Sequence, residues 1–186
     1  MAWLVRLAAI AVLVVSLEAG GQSADDRELM QYRLTPEILT RVEAVATAFD
    51  ANITRNPAMK RKLDAQREIA VLEAKDDLTE AEQKRLDDLQ TVVGSDPIDL
   101  GINGGSLAEM SAQLSKQPAM AAALKSAVMA PRDMAKFMVT AVQAAMIGGL
   151  QGSGMPVPPG AAGENVKFVL ANQASIERIN KLLGAR

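Results

Sequence analysis

Apolar residues in this chain recur every three or four positions, not every second one. Ile38, Val42, Val45, Phe49 and Ile53 fall on one face at that spacing, the pattern of an amphipathic helix packed on one side. Leu34-Thr35-Pro36 opens this helix. Thr35 is placed to cap it, Pro36 occupies the first turn without a missing donor, and Leu34 can staple onto Leu39. Asn56-Pro57 stops it and starts the next helix.

From Pro57 to Val93 the pattern thins and charge takes over. Thr79 and Glu82 form a capping box that divides the stretch in two, and Gly94 ends it. The expectation is an antiparallel hairpin over 57–94 with its tip near Asp76-Asp77. Its apolar stripe would be Met59, Leu63 and Ala70 on one arm and Leu86, Leu89 and Val93 on the other. So thin a stripe suits a hairpin that projects from the body or lies along its surface.

Beyond a loop from Ser95 to Gly105, Ser106 and Glu109 make a second capping box for a helix bearing Leu107, Met110 and Leu114. Pro118 restarts the chain with Met120, Leu124 and Val128 inward. Pro131 restarts it again, with Asp133 near the positive helix end. That helix, to about Ile147, carries Met134, Phe137, Met138, Ala141, Ala145 and Met146. Being apolar nearly all round, it is expected to be the central buried helix. A Pro/Gly-rich connection over 148–163 follows. Val166, Phe168, Val169, Ile176, Ile179 and Leu183 then close the core as one helix, or as two broken near Asn172. The class expected is all-α: a single irregular helical bundle over 25–186 with a charged helical hairpin inserted.

The first 24 residues follow a different logic. Arg6 supplies a positive start, Leu7 to Leu17 an apolar run, and Ala19-Gly20-Gly21 and Ser23-Ala24 the small residues of a cleavage region. This reads as a secretory signal peptide, cut after Gly21 or after Ala24, with Gln22 a poor residue three before the second site. As a membrane anchor the run is short of the roughly 20 apolar residues a spanning helix needs. The expected destination is the periplasm or the exterior, with no integral membrane segment after cleavage.

Composition sharpens this picture through two absences. With no histidine in the chain, His-based triads, His general bases and His-ligated zinc are excluded. With no cysteine, disulfides, thiol nucleophiles, thiolate metal sites and lipidation at a cysteine are excluded, so packing alone must hold the fold. Ala, Leu and Met dominate the apolar set and aromatics are scarce, a diet that suits helices better than sheets. A net charge of −2 gives no global field to draw nucleic acid or an anionic membrane.

Tyr32-Arg33-Leu34-Thr35, Asn56-Pro57, Ser106-Leu107-Ala108-Glu109-Met110, Pro131-Arg132-Asp133, Gln143-Ala144-Ala145-Met146 and Asn165-Val166-Lys167-Phe168-Val169 occur in this order. The series resembles a family of small secreted or periplasmic all-helical proteins of Gram-negative bacteria that has no established activity to carry over. It spans roughly Tyr32 to Leu183. The resemblance implies export and an all-helical fold, and it implies that the 57–94 hairpin is an insertion. The family pattern carries Ser or Thr where Ala130 stands, so the cap of the helix from Pro131 departs from it.

Candidate chemistry is sparse. Asp99, Gly101, Asn103 and Gly104 echo the start of a calcium loop, but its twelfth position is Met110 and Glu109 is better explained by its capping box. Met129, Met134 and Met138 are thioethers that could bind copper(I), and they also sit where flexible core fillers are expected. Gly104-Gly105-Ser106 ahead of a helix could cradle an anion, or simply lead into a capped helix. Arg55, Lys60, Arg61, Lys62 and Arg67 lack interleaved aromatics and read as a solvated face, with acidic partners or anionic headgroups as the alternative. Asp76-Asp77 and Asp87-Asp88 lie where water keeps carboxylates ordinary. Gln143 is the polar member of an apolar stretch and would need hydrogen-bond partners if buried, a bond across the core being expected ahead of contact with a ligand. No catalytic, cofactor or metal residue is assigned.

The function expected from these readings is a non-enzymatic binding module of the periplasm, meeting a protein or a hydrophobic small ligand and not nucleic acid. The alternatives are a carboxylate-based hydrolase, such as a glycoside-cleaving enzyme with two acids facing across a cleft, and a purely structural envelope protein.

Overall fold

The computed structural model describes residues 23–94, 105–150 and 157–183, and among these every regular element is an α-helix. In chain order they are α1 (Ala24–Gln31), α2 (Pro36–Thr54), α3 (Pro57–Glu73), α4 (Glu80–Val93), α5 (Leu107–Lys116), α6 (Pro118–Ser126), α7 (Pro131–Leu150), α8 (Ala161–Ala171) and α9 (Gln173–Leu183). No helix of the described residues is long and apolar enough to cross a membrane.

The helix boundaries follow from local chemistry. Thr35 Oγ1 accepts the Ile38 N–H at the start of α2, and Asn56 Oδ1 accepts two N–H groups at the start of α3. Capping boxes are closed in both directions at Thr79/Glu82 and Ser106/Glu109. Each satisfies donors that the helix itself cannot. Gly94 ends α4 at φ 67°, a conformation that costs a side-chain-bearing residue dearly. The chain breaks at Asn172 into two helices. The connection before α8 is shorter than the composition of 148–163 suggests, because Gly148 to Leu150 continue α7 and Ala161 to Gly163 open α8. Gly163 is required there: a Cβ would lie 2.0 Å from the Pro158 carbonyl oxygen.

Six helices pack pairwise into a closed circuit. α2 lies against α6, α6 against α5, α5 against α7, α7 against α8, α8 against α9, and α9 returns to α2. Their inward faces share one apolar cluster. Val42, Val45, Phe49, Leu114, Met120, Met134 and Val166 are its most deeply buried members. Met110, Met120, Met129, Met134 and Met138 all belong to it, the use of Met as an adaptable filler.

A circuit leaves every member an outer face, and this corrects two expectations. α7 is not buried all round: along its second half Gln143, Met146 and Leu150 form an outward stripe at three- and four-residue spacing. Gln143 and Met146 are exposed on it. Gln143 therefore bridges nothing across the core.

Val128 does not face inward either; it is 84 % exposed, with φ 51°. The Val128 N–H donates to the Lys125 carbonyl at 3.3 Å and the Met129 N–H to the Leu124 carbonyl at 3.0 Å, the two bonds of a Schellman stop. Buried Met129 and Leu124 complete it. A β-branched residue thus holds the left-handed position that glycine normally fills. The left-handed conformation costs a side-chain-bearing residue roughly 1–2 kcal/mol, against a Gly entropy cost of roughly 0.5–1 kcal/mol. Val128→Gly should therefore stabilise the fold by about 0.5–1 kcal/mol, raising the melting temperature by about 1–4 °C in a calorimetric scan. A lower melting temperature would mean that the strain is absorbed elsewhere.

α4 lies outside the circuit, and α3 links it to α2. α4's packing partner is α3, and Ala65, Leu72, Leu86, Leu89 and Val93 make a second apolar cluster between them. α3 uses two faces. Met59 and Leu63 turn to the main core, while Ala65, Ile69 and Leu72 turn to α4. Ala70 lies on the same stripe as Met59 and Leu63 but is exposed. It was expected to be inward, and it is not, because the body covers that stripe only as far as Arg67. There the guanidinium donates to the Lys181 carbonyl of α9 at 2.9 Å.

Candidate functional site

The densest polar cluster joins α1 to the first turns of α5, α7 and α8. α1 begins at Ser23, whose hydroxyl accepts the Asp26 N–H at 3.0 Å while the Asp26 carboxylate accepts the Ser23 N–H at 3.2 Å. No residue of α1 is fully buried, and its seat combines Leu29 packed against the main core with the polar contacts of its acidic residues. Asp25 is the hub: one carboxylate oxygen accepts the Leu107 N–H of α5 at 2.8 Å and the other accepts from Arg132 at 2.8 Å. Arg132 also donates to Glu28 through Nε at 3.1 Å. Lys136, one turn along α7, pairs with Glu28 at 3.1 Å and Asp133 at 2.6 Å. Its ammonium lies 5.2 Å from the centre of the Tyr32 ring, within cation–π range.

Beneath this cluster sits Asn165, 4 % exposed at the start of α8. Its amide nitrogen donates to the Tyr32 carbonyl and its amide oxygen accepts the Leu34 N–H, each at 2.8 Å. The side chain thus serves two backbone groups of the α1–α2 connection, as a neighbouring strand would. Arg33 adds a surface ion pair to Glu164.

The electrostatics are those of a clasp. Hydrogen bonds from Arg132 and Lys136 hold the Glu28 carboxyl below its usual range. Burial lowers the affinity of Lys136 for its proton, but the bonds to Asp133 and Glu28 outweigh it and leave the ammonium pKa raised. Arg132 is raised by its bonds to Glu28 and Asp25. The Tyr32 hydroxyl is buried without a hydrogen-bond partner among the described residues. Burial, with the nearby Asp133 charge, pushes it up to about 12. Each of these shifts moves a group away from neutral pH, the opposite of what general acid–base chemistry needs.

Glu28 supplies a pH test. Its folded pKa lies below the ordinary 4.5, so its contribution is in place above about pH 4.5 and is lost as the pH falls through the lower folded value. Protection of the α1 amides, taken relative to the intrinsic exchange rate at each pH, should therefore fall below about pH 4.5 more than in the rest of the molecule, and Glu28→Gln should show that loosening already at neutral pH. Unchanged α1 protection in Glu28→Gln would show that Asp25 alone holds the helix.

The residues singled out for chemistry are scattered. The N-terminus of α5, considered as an anion cradle, is already served by two of the protein's own carboxylates: Glu109 accepts the Ser106 N–H at 2.8 Å and Asp25 the next one. Asp99, Gly101, Asn103 and Gly104 lie outside the described residues, as do Met1 to Gln22. Met129, Met134 and Met138 are core members. Lys60 pairs with Asp64, and Arg67 is engaged at α9, while Arg55 and Arg61 are exposed. Asp76, Asp77, Asp87 and Asp88 are exposed on the arm. Along the arm, Glu68 is lowered by its bonds from Arg85, and Glu82 falls to about 2 through Lys75 and Thr79. Asp64, Arg67, Glu68 and Val71 border an open depression of about 330 Å³ there. Among the described residues no three carboxylates are grouped to hold a metal ion.

The sequence reading missed α1, its clasp and Asn165. Ser23 and Asp26 carry the spacing of a capping box, but they fall in the stretch assigned to the export leader and its edge. Tyr32 to Thr35, Ser106-Leu107, Arg132-Asp133 and Asn165, far apart in the sequence, meet at this one corner. Comparison of the chain with protein-family models, with curated proteins and with solved structures finds no match.

Proposed function

We propose that the chain is exported and works as a non-enzymatic helical binding module, with the α3–α4 arm meeting another macromolecule of the envelope. The observation that carries this reading is the separateness of the arm's outer part, beyond Arg67. The arm has its own apolar cluster, α4 packs on α3, and beyond Arg67 the body no longer covers the inner stripe of α3. Such an arm adds little to the core, yet it displays Val71 and Val92 among charges of both signs. A few exposed apolar residues ringed by polar ones are what a partner surface offers. The same separateness fits an insertion into a smaller helical body, as the family resemblance implies. The segment Leu7 to Ala24 supports export through its composition.

The test shortens the arm without touching its anchor. Joining Glu68 to Arg85 by a short Gly-Ser turn removes 69–84 but keeps Leu63 and Arg67. The shortened protein is expected to melt cooperatively and to lose the partner that the full chain retains in native mass spectra from exporting cells. Loss of folding would show that the arm belongs to the core. Undiminished retention of a partner, or of a small apolar molecule, would move the binding site to the helical body.

A further inference from the structure

We propose that Arg132, Lys136 and the Leu107 N–H form a carboxylate-binding site that α1 fills as a built-in ligand, and that an acidic helical segment of a partner protein displaces α1 from it. The site draws on α5 and α7 and uses no residue of the arm. Its chemistry is shown by what it already holds. Arg132 bridges two carboxylates one helical turn apart, donating to Asp25 at 2.8 Å and to Glu28 through Nε at 3.1 Å. Asp25 also accepts the Leu107 N–H at 2.8 Å, a donor that α5 cannot satisfy within itself. Lys136 reaches Glu28 at 3.1 Å with its own side chain only 14 % exposed. Leu29, next in the chain to Glu28, packs against the main core. The element recognised is thus two acids at a spacing of three with an apolar residue after the second, and no small anion supplies all of that.

α1 is also built to give way. It has 8 residues, none fully buried, and a helix that short does not persist in water by itself. Its release need not disturb the body. Asn165 grips the backbone on either side of Arg33, at the Tyr32 carbonyl and the Leu34 N–H, so opening can stop at Tyr32 and leave α2 seated. The charges left behind favour a replacement. Both ion pairs of Arg132 reach α1, whereas Lys136 keeps Asp133 of its own helix and Glu109 stays on the Ser106 cap. With α1 lifted, the guanidinium and the Leu107 N–H lose their shared carboxylate together, and an incoming acid restores it to both. Because α1 competes, it weakens the partner's apparent affinity in inverse proportion to the fraction of molecules in which α1 is lifted.

The probe is a labelled synthetic peptide with the sequence of residues 23–33, added to the full chain and to its Asp25→Asn, Glu28→Gln double variant. The double variant, its own ligand neutralised, should bind the peptide at least about tenfold more tightly than the parent. Adding Arg132→Gln to that chain, or making the same two substitutions in the peptide, should abolish binding. In the parent, saturating peptide should strip the α1 amides of their protection from exchange, while the Leu34 amide, held by Asn165, stays protected. Should a variant lose its fold by circular dichroism, this exchange measurement on the parent decides alone. Equal binding by parent and double variant, no binding to the double variant, binding that survives Arg132→Gln, or a bound peptide that leaves α1 protected would each overturn the proposal. None of these outcomes bears on the arm, which the shortened chain tests separately.

Discussion

Asn165→Leu should lower the stability of the fold by about 2–4 kcal/mol, because it strips two backbone groups of their partner at once. Leucine fills much of the space but can neither accept the Leu34 N–H nor donate to the Tyr32 carbonyl. Leu34 is itself buried, so its N–H has little access to water as a substitute. For a chain of this size the melting temperature should fall by roughly 5–15 °C. The sharper readout is local: the Leu34 amide should lose its protection from exchange well before global unfolding. Asn165→Asp separates the two bonds. It keeps the acceptor for Leu34 but offers the Tyr32 carbonyl a donor only when protonated, so its deficit should shrink as the pH is lowered toward 5. A melting temperature within 2 °C of the parent in Asn165→Leu would mean that water replaces both bonds.

Phe49→Ala should cost about 3–5 kcal/mol, the range for a large buried ring removed from a core that cannot fully collapse. Phe49 is 0 % exposed on α2, which packs against both α6 and α9. The cavity would open where the circuit of helices closes on itself. With total stabilities of roughly 5–15 kcal/mol typical, the loss consumes a large share. Phe49→Leu keeps most of the volume and should cost less than about 1.5 kcal/mol. Urea unfolding followed by circular dichroism measures both, with the slope of the transition held as a check that the denatured state is unchanged. A small loss in Phe49→Ala would show that the flexible methionines of the core repack into the space.

These two residues also mark where sequence reasoning stops. Phe49 is legible as core because it recurs with Val42, Val45 and Ile53 on one helical face. Asn165 is not legible, since its partners lie more than 130 positions away. Polar residues in apolar surroundings look alike in sequence: Gln143 turns out to solvent, and Asn165 turns inward. Val128 shows the same limit. Its spacing from Met120 and Leu124 points inward, yet the helix must end before Pro131, and the stop places Val128 outside.

What the sequence by itself determined is most of what is settled within about four residues. Thr35, Asn56, Thr79 and Ser106 fix where helices start, Gly94 where one ends, and the apolar period gives the all-α class; the break at Asn172 is left open at that level. The absence of His and Cys set the chemistry aside at the same level. The tertiary structure alone decided which face turns inward where a helix is apolar nearly all round, as in α7, how six helices close into a circuit, and where Asp25, Glu28, Arg132 and Lys136 meet. The physical reason is range. Caps and periodicity are local bonds written in neighbouring residues. Burial and ion pairing depend on surfaces that exist only after distant segments have packed.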